Sequence, residues 1–186
     1  VMNFAQRGFF QIGLLKRNLP NADVLLSTSP TIVQYIHKII NQNVHIIPFG
    51  IDTTVFKITN TKRLFNDEDL VIGTVKSLEE VYRIDLIIQA FAIARKTENA
   101  SNLKLLIVGG GTLETDLKHL AEKLLLTEHI HFTGKVSTKE VPMFHNMIDI
   151  FVNVPEYESF GVSVLEASAC EKPVIVSAVG GLKDVV

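Results

Sequence analysis

Cysteine is almost absent from this chain, and a single thiol, Cys170, leaves no possibility of an internal disulfide. A lone thiol fits a reducing compartment. No apolar run is long enough to cross a bilayer. An excess of one charge is missing too, since 18 Lys and Arg stand against 20 Asp and Glu, a formal net charge of −2. That balance supplies no basic surface for nucleic acid and no polybasic segment for firm membrane attachment. The six His residues have no zinc-ligand spacing. No Gly-x-Ser-x-Gly occurs, so a hydrolase nucleophile elbow is unsupported. Neither Gly-x-Gly-x-x-Gly nor Gly-Lys-Ser/Thr marks a dinucleotide or P-loop site. Arg7, Lys16 and Arg17 interrupt any signal-peptide core in residues 1–19.

What is present is a chain of 186 residues, 47% hydrophobic, enough for one packed domain or one domain with part of another. It opens without Met and closes on Asp184-Val-Val186, inside what reads as a starting helix. The expectation is a piece of a longer chain, cut at both ends.

Residues 2–16 have mixed helical spacing, with Phe4, Phe9, Ile12, Leu14 and Leu15 apolar. Asp23–Ser27 and Val44–Ile47 read as short buried strands, and Ser29-Pro30 opens a helix through Ile40. From Pro48 to Asp69 the pattern weakens into polar, turn-rich sequence. A regular alternation follows. Strands are expected at 70–75, 103–108, 129–133, 148–152 and 173–177. Helices are expected at 84–96, 112–125, 139–145 and 162–170. In the first of these, Ile84, Ile87, Ile88, Phe91 and Ala94 share one face. Strands apolar on both faces and alternating with helices give a doubly wound parallel sheet of the α/β class, with ligands at the strands' carboxyl ends.

The most informative segment is Glu158-Ser-Phe-Gly-Val-Ser-Val-Leu-Glu166. Glu158 falls on the loop leaving a strand, and Glu166 about one turn into the next helix. The helix start between them offers unpaired N–H groups and a positive dipole end, where α/β proteins hold phosphate. A helix-start acid favoured by the dipole accounts for one Glu; it leaves the intervening Phe160-Gly161-Val162-Ser163 unexplained. Ser159 and Ser163 suit caps or phosphate donors.

Lys76 stands just past a strand end, where it can neutralise a diphosphate, although taken alone it reads as an ordinary surface lysine; Arg83 is a second candidate phosphate partner or equally a solvent-facing side chain. Gly109-Gly-Gly111 follows a strand and precedes a helix, consistent with close approach to a ligand or with a plain tight turn. Asp67-x-Asp69 reads as a solvated acidic turn, His131 as a structural strand residue, and Cys170 as buried core.

Together these segments resemble the C-terminal half of a retaining glycosyltransferase of family 4, with the two-domain GT-B fold. The resemblance covers residues 44–186. It rests on Ile47-Pro-Phe-Gly-Ile-Asp52 with Phe56, on Gly73-Thr-Val-Lys76 with Ile84-Asp85, and on Leu106-Ile-Val-Gly-Gly-Gly111. Ile130-His-Phe-Thr-Gly-Lys-Val136 and the E-x7-E block followed by Glu171-Lys-Pro-Val-Ile and Ala178-Val-Gly-Gly-Leu182 complete it. It implies the tail of an N-terminal acceptor domain over 1–48, an interdomain linker over 49–69 and a truncated donor-binding domain over 70–186.

The resemblance also implies roles. Glu158 meets hydroxyls of the transferred sugar, and Glu166 holds the ribose. Main-chain amides from Phe160 through Gly161 and Val162 to Ser163 receive the donor, and Gly110 lines its site. Lys76 steadies the diphosphate, and Lys135 and Val136 lie beside the base. The donor is a UDP- or GDP-sugar and the acceptor a glycan or a lipid-linked glycan. Neither a metal nor any cofactor beyond the donor is implied. The expected setting is the cytoplasm, with peripheral association at the inner membrane face, in polysaccharide and cell-envelope synthesis. One departure stands out. Where the family carries a second basic residue followed by Gly, this chain has Val81-Tyr82-Arg83. A sugar-nucleotide epimerase of GT-B architecture and a non-catalytic nucleotide-binding module are the alternatives.

Overall fold

The computed structural model describes residues 9–97 and 100–186, with side chains from residue 12 onward. Phe4 lies outside the described residues. The chain divides into two compact units, and their boundaries interleave along the sequence. One comprises Val1–Gly50, Tyr157–Gly161 and Ala178–Val186; the other comprises Ile51–Glu156 and Val162–Ser177. Residues 157–161 and 178–186, expected inside the donor-binding domain, thus count with the first unit.

In the first unit, α1 (Phe9–Asn18) leads through a short 3-10 turn to β1 (Leu26–Ser27), α2 (Pro30–His37) and β2 (His45–Ile46). The two strands pair in parallel. They are shorter and less buried than expected, with Val24 61% and Leu26 59% exposed, because a two-stranded ladder gives these side chains little to pack against. The start of α2 is well specified: Ser29 is extended, its Oγ accepts the Ile32 N–H at 3.3 Å, and Pro30 occupies the first turn. The same hydroxyl donates to the Ser159 carbonyl at 3.0 Å. Thr31 Oγ1 donates to the Gly180 carbonyl at 3.2 Å, so α2 anchors both distant segments of the unit.

The second unit is a five-stranded, wholly parallel sheet. Its elements are β3 (Leu70–Val75), α3 (Ile84–Ala94), β4 (Leu103–Val108), α4 (Glu114–Lys123), β5 (Ile130–Phe132), α5 (Val141–Met147), β6 (Ile150–Asn153), α6 (Val162–Ala169) and β7 (Val174–Val176). α7 (Leu182–Val185) belongs to the first unit. The strand order is β5-β4-β3-β6-β7, so the winding reverses between β3 and β6. At such a reversal the loops leaving neighbouring strands diverge and open a crevice at the carboxyl edge.

Alternation along β4 shows why the sheet is covered on both faces. Leu105 and Ile107 enter a core with Ile84, Ile88 and Phe91 of α3 and Leu117 of α4. Leu106 and Val108, equally buried, face the other way. α5 and α6 pack against β3, β6 and β7. Each buried Leu, Ile or Phe contributes about 1.5–3 kcal/mol by leaving water. Residues 51–69 contain no helix or strand, yet they are docked rather than loose: Phe56 meets His145 edge-on, and Arg63 pairs with Asp149.

Candidate functional site

A cavity of about 690 Å³ opens at the carboxyl ends of β3, β4 and β5. Its lining includes Lys76, Glu79, Gly110, Glu114, Lys135 and Val136. Four of the residues singled out in the sequence thus converge on one concavity of a size suited to a nucleotide. Lys76 is the first residue after β3, and its Nζ lies 4.6 Å from the centroid of the Tyr82 ring. The ring face holds the ammonium by a cation–π contact.

Of the two readings of the glycine run, close approach to a ligand or a plain tight turn, the packing shows main chain lying against main chain beside the cavity. A Cβ on Gly109, at φ +130°, would lie 2.0 Å from the Lys76 carbonyl oxygen, and one on Gly111 would lie 2.4 Å from that of Leu78. These two glycines let the β4 exit lie flush against the β3 exit. The seam is bonded by Lys76 N–H to Val108 O at 2.9 Å and Leu78 N–H to Gly110 O at 3.1 Å. All three glycines line the cavity, and a Cβ on Gly110 would press on Lys135 and approach Glu114 there.

Two carboxylates that the sequence did not single out also line the cavity. Glu79 accepts from the Thr112 hydroxyl at 2.6 Å and the Thr112 N–H at 3.0 Å. The hydroxyl, more than the amide, holds its carboxyl below the usual range. Glu114 Oε1 takes the Lys118 ammonium at 2.7 Å, one turn along α4. Both acids are therefore engaged by neighbours, which limits their repulsion of an anionic guest. No periodicity or motif would have flagged either one.

α6 begins at Val162, with the unpaired N–H groups of a helix start. Ser163 is buried, and its Oγ has no hydrogen-bond partner among the described residues. Glu166 lies one turn further on the same helix face, with its side chain 18% exposed. Its Oε2 is 3.2 Å from Nε2 of His145, a fully buried ring on α5.

In the first unit, the Glu158 side chain is buried, and its Oε1 accepts the Ser159 N–H at 3.1 Å. The Glu158 carbonyl accepts the Gly181 N–H at 2.9 Å. Phe160 is buried with its ring edge-on to Phe49, centroids 5.4 Å apart. Gly161 follows at φ +101°, a conformation that excludes most side chains. The downstream glycine pair is explained by the same segment, because Gly180 and Gly181 clear space for the backbone of Glu158 and Ser159.

Arg83 is not directed to a phosphate. Its Nε and Nη2 grip Asp85, and its Nη1 donates to Glu156 at 2.8 Å. Cys170 is fully buried, and burial pushes its thiol up, away from nucleophilic thiolate. In the acidic turn, Asp69 is buried and accepts the Asn66 N–H, a turn-closing role. His131 is exposed on β5, edge-on to Phe65. Among the described residues, no helix is long and apolar enough to cross a membrane.

The profile of the family described as glycosyl transferases group 1 matches residues 56–186. The chain is 27% identical over 180 residues to the N-acetyl-alpha-D-glucosaminyl L-malate synthase of Bacillus anthracis, covering 93% of this chain and 46% of that protein. Sucrose-phosphate synthase from Thermosynechococcus elongatus superposes with a TM-score of 0.84 at 24% identity, over 99% of this chain and 48% of that one. The Anabaena protein HepE, crystallised with UDP and glucose, superposes with a TM-score of 0.80 at 18% identity, over 98% of this chain and 52% of HepE. The chain therefore spans about half the length of these relatives.

Proposed function

We propose a donor-binding function from one premise: the chain belongs to the glycosyl transferases group 1 family. It is the donor half of an enzyme that moves a sugar from a nucleoside diphosphate sugar to a glycan or lipid-linked acceptor, with retention of configuration. The observation that carries this is the convergence of Lys76, Gly110, Lys135 and Val136 on one cavity at the carboxyl edge of a parallel sheet. The UDP and glucose held by HepE support it.

The chemistry follows from where charge develops. Breaking the bond between sugar and diphosphate leaves cationic character on the sugar carbon and added negative charge on the leaving phosphate. Lys76 and the amides at the start of α6, through Ser163, stabilise that charge more as it grows than in the ground state, which converts binding into rate. The family resemblance assigns Glu158 to the transferred sugar, where a carboxylate shields developing positive charge. Phe160, Gly161 and Val162 supply main-chain contacts. Glu166 takes the ribose hydroxyls, and Lys135 and Val136 flank a uracil or guanine base. The longer protein works in the cytoplasm and builds cell-envelope polysaccharide at the inner membrane face, where a lipid-linked acceptor is available.

A second reading, a nucleotide-binding module without transfer activity, is favoured by one observation. Tyr82 and Arg83 replace the basic residue and glycine of the family pattern, and Arg83 is neutralised by Asp85 and Glu156. Thermal unfolding with UDP or GDP tests donor binding itself. At a hundredfold excess over Kd a bound nucleotide stabilises by about 2.7 kcal/mol, a shift of roughly 5–10 °C. An unchanged midpoint with both nucleotides removes donor binding. Turnover of a radiolabelled sugar nucleotide by the longer protein then separates transferase from module.

A further inference from the structure

His145 is the most thoroughly enclosed polar side chain near α6. Its ring is fully buried, with Phe56 edge-on at 6.0 Å and Phe151 tilted at 5.4 Å between centroids. A phenyl or leucyl group would fill such a box without leaving any polar atom stranded. The imidazole does leave one, since Nδ1 has no hydrogen-bond partner among the described residues. The other nitrogen, Nε2, reaches Oε2 of Glu166 at 3.2 Å. A carboxylate only accepts, so the hydrogen sits on Nε2, and Nδ1 presents a bare lone pair, which is tolerated better than an unpartnered N–H. The buried ring thus directs its single polar contact to one oxygen of Glu166. Glu166 is on α6, its side chain is 18% exposed, and Oε2 is the oxygen that meets His145.

We propose that His145 is a positioning residue for the nucleotide's ribose: its Nε2–H holds Oε2 of Glu166 and leaves Oε1 to accept the ribose hydroxyls. This rests on the assignment of Glu166 to the ribose. Without the imidazole, the Glu166 side chain rotates among several rotamers and must be ordered anew when nucleotide arrives. The pair joins α5 to α6, and Asn146 Nδ2 lies 3.8 Å from Cys170 Sγ just past the end of α6. Phe56 meets the buried ring edge-on, and Asn146, the next residue, donates to the Lys57 carbonyl, which ties the helix to the segment that carries Phe56.

The test is calorimetric titration of the 186-residue chain with UDP and GDP, and with their 2′,3′-dideoxy counterparts, which lack the hydroxyls. H145F is expected to weaken binding of the better ribonucleotide about tenfold, the scale of one hydrogen bond to a carboxylate. It should leave the dideoxy form bound as the unaltered chain binds it. H145Q, whose amide nitrogen can occupy the place of Nε2, should restore most of the loss. If H145F does not fold, H145N replaces it, since its amide is too short to reach Glu166. An equal loss for ribo- and dideoxynucleotide would make His145 a structural residue and overturn the proposal, as would a ribonucleotide affinity unaffected by H145F. A parent chain that binds ribo and dideoxy forms alike removes Glu166 from the ribose, and the proposal falls with it. A parent chain that binds neither ribonucleotide removes the donor site altogether.

Discussion

Arg83 and Asp85 meet in a two-pronged ion pair, with Nε to Oδ1 at 3.0 Å and Nη2 to Oδ2 at 3.1 Å. The backbone at Arg83 makes this possible. It stands at φ 48°, ψ 45°, the left-handed turn that directs the chain into α3, and there the family pattern has glycine. A residue with a Cβ in that conformation costs about 1–2 kcal/mol. A partly exposed ion pair returns about 0.2–1 kcal/mol. R83G should therefore be more stable than R83A by about 1 kcal/mol, because both lose the ion pairs and only alanine keeps the strain. Urea denaturation of the two variants decides it; identical midpoints would remove the backbone explanation.

Asp85 makes the acid side of stability readable. The Arg83 hydrogen bond, ahead of its simple charge attraction, holds the Asp85 carboxyl below its ordinary value. A carboxyl depressed in the folded state stabilises above its unfolded pKa, about 3.9, and that contribution is lost as pH falls through the folded value. The stability difference between the parent chain and D85N should be largest near neutrality and shrink below about pH 4. A gap that stays constant down to about pH 2 would show that the ion pair does not set the titration.

Lys76 should matter for phosphate number. K76A is expected to weaken a nucleoside diphosphate about tenfold and a nucleoside monophosphate much less, since a charge-assisted contact to the second phosphate is worth about 1.5–3 kcal/mol. Competition titrations with UDP against UMP measure this. Equal losses for both would move Lys76 away from the diphosphate.

The seam between the β3 and β4 exits predicts a severe response at Gly109. G109A combines a φ of +130° with a Cβ placed 2.0 Å from a backbone oxygen, so the loop must shift. A loss of about 2–4 kcal/mol is expected. G13A is the contrast, because nothing lies within 4 Å of its added methyl and α1 gains a better helix former. Thermal unfolding of both should show a marked drop for G109A and none for G13A.

For Glu158, the expected signature is a split between binding and turnover. In the longer protein, E158Q should suppress sugar transfer at least about a hundredfold while nucleotide affinity stays within about twofold, the pattern of an interaction made chiefly in the transition state. Transfer at the parental rate would take Glu158 out of the chemistry.

Much of the second unit was legible because its signals are local. Leu103–Val108 reads as a strand because the run is apolar on both sides, and it is buried where both faces are covered. Ile84, Ile87, Ile88 and Phe91 announce α3 by spacing alone, and all four are buried. Helix ends were less legible. α2 stops at His37 rather than Ile40, since Lys38 turns back on Tyr35 and Ile36. What stayed hidden depends on distant partners. Residues 157–161 and 178–186 join the first unit through bonds such as Ser29 to Ser159 and Gly181 to Glu158, which no local pattern encodes. His145 could be placed on a helix, but its partner stands 21 residues away on another. The loss of the family's second basic residue was visible, whereas the use of the Tyr82 ring to cradle Lys76 was not.

Asn146 commits both ends of its amide to the irregular segment before β3, accepting the Thr59 N–H at 2.9 Å and donating to the Lys57 carbonyl at 3.0 Å. A side chain that pins main chain on two sides acts like a rivet. A pull on the strand of protein running through Lys57 and Thr59 is delivered, with no slack link, to the short helix whose next-door ring touches Glu166.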